Sequence, residues 1–115
     1  MSAGFSLEVD VVDDDVVVIA ASGEIDRSTV PQLTDSLRRA AVATRGPVLV
    51  DLGHVSFLDS SGISVLLGAL RRLKRAGRKL LLACPPGNVR RLFEVTGLAD
   101  TFAVFPNRQT ALANA

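Results

Sequence analysis

From Phe5 the chain alternates: Phe5, Leu7, Val9 and Val11 are apolar, with Ser6, Glu8 and Asp10 between them and Val12 closing the run. A period of two predicts a half-buried strand, because successive strand side chains point to opposite faces. Asp13-Asp14-Asp15 interrupts with turn-forming residues, and Val16 to Ala21 follows as an unbroken apolar, largely β-branched stretch, the pattern of a more buried strand. Together they predict a hairpin. The stretch Gly23 to Thr29 is polar, after which Val30, Leu33, Leu37 and Ala40 or Ala41 recur at helical spacing. A first helix therefore starts near Ser28 or Thr29, tolerates Pro31 in its first turn and closes at Gly46-Pro47.

Val48-Leu49-Val50-Asp51-Leu52 reads as a short buried strand, and a second apolar stretch gives out at Phe57-Leu58. After Asp59-Ser60-Ser61-Gly62 comes the clearest helix signal in the chain. Ile63, Leu66, Leu67, Leu70 and Leu73 fall on one face at helical spacing, and Gly77 supplies the stop. Lys79 to Cys84 is the next strand, ended by Pro85-Pro86-Gly87. Val89, Leu92 and Phe93 pattern a short helix with Gly97 as its C′ residue and Leu98 placed to close on Phe93. Thr101 to Phe105 is a last strand, and Asn107 to Ala115 a weak terminal helix. The whole predicts one α/β domain over residues 1–115. It has an N-terminal hairpin, then alternating helix and strand with right-handed crossovers, a mixed but mostly parallel sheet and about four helices. Strand order is not contained in the pattern.

Composition narrows the chemistry. One histidine, His54, and one cysteine, Cys84, leave no zinc cluster and no disulfide framework, and a cytoplasmic location is the expectation. The first residues lack the basic start and apolar core of a secretory signal, and no segment has the uncharged apolar length of a membrane span. The net charge of +1 hides a division. Residues 1–35 hold eight acids against Arg27, whereas residues 38–91 hold eleven bases against Asp51 and Asp59.

The acidic run at Asp13 leads into a strand rather than a helix, which argues for a solvated turn over the acidic pocket of a receiver domain. Ser60, His54 and an aspartate compose a hydrolase triad only on paper, since the Gly-x-Ser-x-Gly elbow is absent, and neither phosphate-binding glycine motif occurs. Six bases lie within Arg71 to Lys79, and Arg90-Arg91 would extend them if the two helices lay side by side. With five phenylalanines and no Trp or Tyr, however, stacking platforms for nucleic acid are scarce, and a solvated basic helix end is favoured.

Two features stand out from this background. Asp59, Ser60 and Ser61 all carry oxygens able to cap a first helical turn, a place that also favours anions. Gly68 falls on the outer face of the same helix beside Ser64, Arg71 and Arg75, where alanine would add about 1 kcal/mol of helix propensity. It is either a tolerated surface glycine or a flat place for a partner, with Val65 at its edge.

The stretch Val50-Asp51-Leu52-Gly53-His54-Val55-Ser56-Phe57-Leu58-Asp59-Ser60-Ser61-Gly62 resembles the signature of bacterial anti-sigma factor antagonists, single-domain members of the STAS family. Gly23 to Asp26 is similar to the family's approach to its first helix, and Arg91 to Leu98 to its late helix and closure. The resemblance implies a binding protein and not an enzyme, with no cofactor, no metal and no direct contact to nucleic acid or membrane. It implies that Ser60 is phosphorylated by the anti-sigma factor, an ATP-using serine kinase, and restored by a serine phosphatase. The unmodified form would bind the anti-sigma factor and so release its sigma factor. The residue pattern and the resemblance together lead to one expected docking patch of Asp26, Asp59, Ser60, Ser61, Gly62, Val65 and Gly68; Ser64 departs from the glycine many relatives carry. Two other readings stay open: a STAS domain that binds a nucleotide or other anion at the Ser60 helix terminus, or serves a larger signalling assembly, and nucleic-acid binding through Arg71 to Lys79.

Overall fold

The computed structural model describes residues 4–12 and 15–115. Its first two strands, β1 (Ser6–Val12) and β2 (Val16–Ile25), form the expected antiparallel hairpin, in register from Ser6 against Ser22 to Val12 against Val16. Of the turn's three aspartates, Asp13 and Asp14 lie outside the described residues. The remaining elements are α1 (Val30–Ala43), β3 (Val48–Leu58), α2 (Ser60–Arg75), β4 (Leu80–Ala83), α3 (Asn88–Val95), β5 (Ala103–Phe105) and α4 (Arg108–Ala113). The strands lie in chain order, β1-β2-β3-β4-β5, and every pairing after the hairpin is parallel.

One face of this mixed sheet carries α1, α2 and α3. Leu33, Leu37, Leu66, Leu73, Val89 and Phe93 pack there against Val17, Ile19, Val48, Val50, Leu80 and Leu82 in a single cluster. Full burial of each such side chain is worth about 1.5–3 kcal/mol. On the opposite face α4 covers a smaller cluster of Val18, Leu49, Leu81 and Ala83 through Ala111. Arg108 pins α4 to the sheet, its Nε 2.9 Å from Asp51 Oδ2.

Three departures from the sequence pattern are instructive. β2 and β3 both run further than their apolar cores, β2 through Ser22 to Ile25 and β3 through Gly53 and His54 to Leu58. The two extensions pair with each other, across irregularities after Ala20 and Gly23. Polar residues are held in strand there by a neighbouring backbone, which a periodicity within one segment does not register. His54 accordingly lies in a strand, exposed, rather than in a connection. Phe5, just before β1, and Leu7 within it pack on the main core, but Val9 and Val11 stay 50% and 57% exposed at the sheet edge. On α2 the buried line is Gly62, Leu66, Ala69 and Leu73, with Ile63, Leu67 and Leu70 only half buried beside it. The glycine at position 62 lets the helix come close to Leu58 and Ile25 at the strand ends.

α2 and α3 both close with the anticipated glycine. Leu98 N–H donates to Phe93 O and Gly97 N–H to Glu94 O, with Gly97 at φ 76°. Arg78 N–H and Gly77 N–H repeat the arrangement on Leu73 O and Lys74 O. Arg78 also reaches across to the end of α1, donating from Nε to Gly46 O at 2.9 Å, from Nη1 to Ala41 O at 2.9 Å and from Nη2 to Thr44 Oγ1 at 3.2 Å. Through Ala41 this guanidinium satisfies a carbonyl that the helix end leaves without a partner, and through Thr44 and Gly46 it holds the connection that follows.

Candidate functional site

Parallel pairing of β2 with β3 sets Ile25 beside Leu58, so the loops that follow them, leading into α1 and α2, emerge side by side. Asp59 N–H donates to Ile25 O at 3.2 Å and joins the two exits directly. Asp26 stands at one exit and Asp59 at the other.

Each aspartate is fixed by its own loop. Asp26 Oδ1 accepts from the Ser28 N–H at 2.9 Å and from the Ser28 hydroxyl at 2.6 Å. Behind it Thr29, fully buried, donates from Oγ1 to Glu24 O at 2.9 Å and accepts from Asp26 N–H at 2.9 Å. Thr29 was legible only as a helix start; its buried hydroxyl is what holds the loop, and only the fold reveals that. Asp59 caps α2: Oδ1 accepts from Ser61 N–H at 3.0 Å, from Gly62 N–H at 3.3 Å and from the Ser61 hydroxyl. Of the three residues able to cap, Asp59 alone does so.

These bonds tune the acids. The Ser28 hydroxyl, with the loop N–H groups, holds Asp26 below the ordinary aspartate range. The Ser61 hydroxyl does the same for Asp59, against burial and the nearby charge of Asp26, which act the other way. Both stay ionised at neutral pH. They give this end of α2 two negative charges.

Ser60, the first residue of α2 after the Asp59 cap, is exposed and its hydroxyl has no hydrogen-bond partner among the described residues. Ser61 is half buried with its hydroxyl committed to Asp59. The carboxylate of Asp59 occupies N–H groups that the sequence left available to an anion, so a phosphoryl group on Ser60 would face solvent beside that carboxylate.

The other patch residues divide. Gly62 is buried, and a Cβ there would collide with Leu58 Cδ1 and lie 2.7 Å from Ile25 Cγ2. The missing Cβ lets α2 approach the strand ends. Val65 is half buried against the main core. Gly68 is half exposed, and a Cβ on it would meet only Arg72 Nη1, at 3.4 Å. Ser64, Arg71 and Arg75 are exposed. Phe57, 48% exposed just before the cap, was not singled out from sequence, because an apolar residue ending a strand reads as core.

The remaining candidates fall elsewhere. Cys84 is buried at the end of β4, where burial pushes its thiol up to about 11 against the opposing charge of Arg90. A thiol so placed is a poor nucleophile. Arg90 and Arg91 sit in the first turn of α3, at the opposite end of the sheet from the last turn of α2, and do not extend its basic cluster. Among the described residues no group of three or more His, Cys, Asp or Glu could hold a metal ion. None of their helices is long and apolar enough to cross a membrane.

Comparison with known proteins agrees with this geometry: residues 8–111 match the family described as the STAS domain. The chain belongs to the STAS domain family. The anti-sigma-B factor antagonist of Listeria monocytogenes is 34% identical over 99 residues, 86% of this chain and 87% of that protein. An anti-sigma factor antagonist from Mycobacterium paratuberculosis superimposes with a TM-score of 0.81 at 31% identity, covering 96% of this chain and 92% of the other. SpoIIAA, a Bacillus cell fate determinant, has been solved phosphorylated and unphosphorylated. The phosphorylated form matches at TM-score 0.72 and 25% identity, covering 95% of this chain and 98% of that one. The unphosphorylated form matches at 0.73 and 22%, covering 95% and 96%. The family resemblance drawn from Asp59-Ser60-Ser61-Gly62 and its surroundings, and the five-stranded mixed sheet with four helices, stand together with these matches.

Proposed function

We propose that this STAS domain is an anti-sigma factor antagonist acting by reversible partner binding, with Ser60 as its switch. Unmodified, it binds an anti-sigma factor and thereby releases a sigma factor. The anti-sigma factor, as a serine kinase, transfers the γ-phosphoryl group of ATP to Ser60 Oγ, releasing ADP and the hydroxyl proton. A serine phosphatase hydrolyses the ester to restore the free hydroxyl and inorganic phosphate. All of this takes place in the cytoplasm. The chain is substrate and ligand throughout and performs no chemistry itself.

The observation that carries this reading is the contrast between adjacent hydroxyls: Ser61 is committed to Asp59, while Ser60 is exposed and unpartnered among the described residues. Phosphorylation adds about −1.5 to −2 charge at pH 7 beside Asp26 and Asp59. Because Ser60 faces solvent and Asp59 already caps the helix, the new charge acts on whatever docks there and leaves the core untouched. Asp26, Asp59, Ser60, Ser61, Val65 and Gly68 form the docking surface, supported from beneath by Gly62.

A pull-down with wild type, Ser60→Ala and Ser60→Asp as baits tests the reading. A kinase-like anti-sigma protein should be retained by the first two and lost with the third. Peptide mapping after incubation with that protein and ATP should place the phosphate on Ser60. Equal capture by all three baits would remove the switch. A nucleotide or other anion at the same helix end is the weaker reading, because Asp59 fills two of the N–H groups it would use.

A further inference from the structure

The exposed face of α2 does not end at Gly68. Ser60, Ser64, Gly68, Arg71 and Arg75 lie along one line of the helix, and all are exposed except the half-exposed Gly68. With a rise of about 1.5 Å per residue, Arg71 stands about 16 Å and Arg75 about 22 Å beyond Ser60. The helix contains no acidic residue, and its four charges, Arg71, Arg72, Lys74 and Arg75, fall within its last five positions. None of the four has a carboxylate partner among the described residues, whereas Arg39 on α1 pairs with Asp35 and Arg108 with Asp51. The helix dipole favours bases in a last turn, but here no acid on the same helix accompanies them, and the helix is charged at one end only. Between the acidic entrance at Asp26 and Asp59 and this basic end, the line holds only small side chains.

We propose that Arg71 and Arg75 are a second anchor of the docking surface, and that the partner which phosphorylates Ser60 meets them with a cluster of carboxylates. This rests on the function proposed above and adds to it the chemistry and position of the partner's complementary patch. The separation of the carboxylates of Asp26 and Asp59, at the entrance to α2, from the arginines at its far end admits the partner in a single direction. That places its phosphoryl-transfer centre over Ser60 rather than over Ser64, the next exposed hydroxyl on the line. Long-range attraction between such patches accelerates encounter and fades with added salt.

The test uses the serine kinase retained by the wild-type bait, purified, and follows its association with the intact chain by stopped flow from low to high salt. Arg71→Glu/Arg75→Glu should slow association at low salt at least tenfold and flatten the salt dependence. Arg71→Gln/Arg75→Gln should fall between that variant and wild type, and circular dichroism confirms that each folds. Arg38→Glu/Arg45→Glu, an equal charge change on and after α1, should alter association less than threefold. Equal losses in both Glu pairs, or none at Arg71 and Arg75, would overturn the anchor. So would a random-sequence DNA duplex bound through these arginines while association with the kinase is unaffected. Binding that is lost with Ser60→Asp but retained by Arg71→Glu/Arg75→Glu removes this proposal alone. Equal binding by wild type and Ser60→Asp removes the switch, and the anchor with it.

Discussion

The hydroxyl of Ser61 donates to the carboxylate of Asp59, which at the same time accepts from the Ser61 and Gly62 N–H groups. That carboxylate is therefore both the cap of α2 and a fixed negative charge beside Ser60. Its stability contribution depends on pH with a definite sign. The unfolded chain takes up the proton near the ordinary value of 3.8, while the folded chain resists it to lower pH. In that interval the unfolded state binds more protons, so the contribution is complete above about pH 5 and is lost as pH falls through the folded value. Asp59→Asn, still a good cap, should match wild type at pH 7 and lose less stability between pH 5 and 3. Asp59→Ala should cost about 1 kcal/mol at neutral pH. Urea unfolding across this range measures both.

Removing the Ser61 hydroxyl should let the Asp59 pKa rise toward 3.8, because that bond is the largest influence lowering it. A carboxylate-detected NMR titration of Ser61→Ala reads this directly. An unmoved Asp59 would mean that the backbone N–H groups suffice.

Gly62 is intolerant for a different reason. Its added Cβ would press on Leu58 and Ile25, both buried at the strand ends that carry the two loops. Gly62→Ala should cost about 1–3 kcal/mol as overpacking, and thermal unfolding will show it. Gly68→Ala should do the opposite and stabilise by up to about 1 kcal/mol, since it meets only the mobile end of Arg72. Gly68→Arg should fold normally and weaken partner binding by about tenfold or more, some 1.4 kcal/mol. Full affinity in that variant would remove Gly68 from the docking surface.

What the sequence disclosed follows from where each signal resides. The Leu66–Leu73 stripe, the glycine stops at positions 77 and 97 and the hairpin are local, and each is present in the structure. The continuation of β2 through Ser22–Ile25 and of β3 through His54–Leu58 depends on one polar strand pairing with another, which neither segment encodes alone. The same limit hid the adjacency of Asp26 and Asp59, 33 positions apart in the chain and neighbours only because Ile25 pairs with Leu58. Ser60 and Asp59 were visible as candidates. Which of them caps the helix and which faces solvent is a matter of backbone geometry.

Arg78 illustrates a charge whose work is structural. Its three bonds to Gly46, Ala41 and Thr44 tie the end of α1 to the turn after α2. Arg78→Ala should destabilise by about 1.5–3 kcal/mol, while Arg78→Lys, unable to make the fork, should recover only part of that. Neither should alter the salt dependence of partner association, which separates Arg78 from Arg71 and Arg75.

Because the strands lie in the order of the chain, the N-terminal strand forms one outer edge of the sheet, and the C-terminal helix lies behind it, on the face away from α2. Anything fused or tethered after Ala115 therefore leaves from the back of the molecule. A sensor surface or fluorescent protein attached there would present Ser60 and Arg75 outward together, so the two ends of the docking line can be probed in one immobilised geometry.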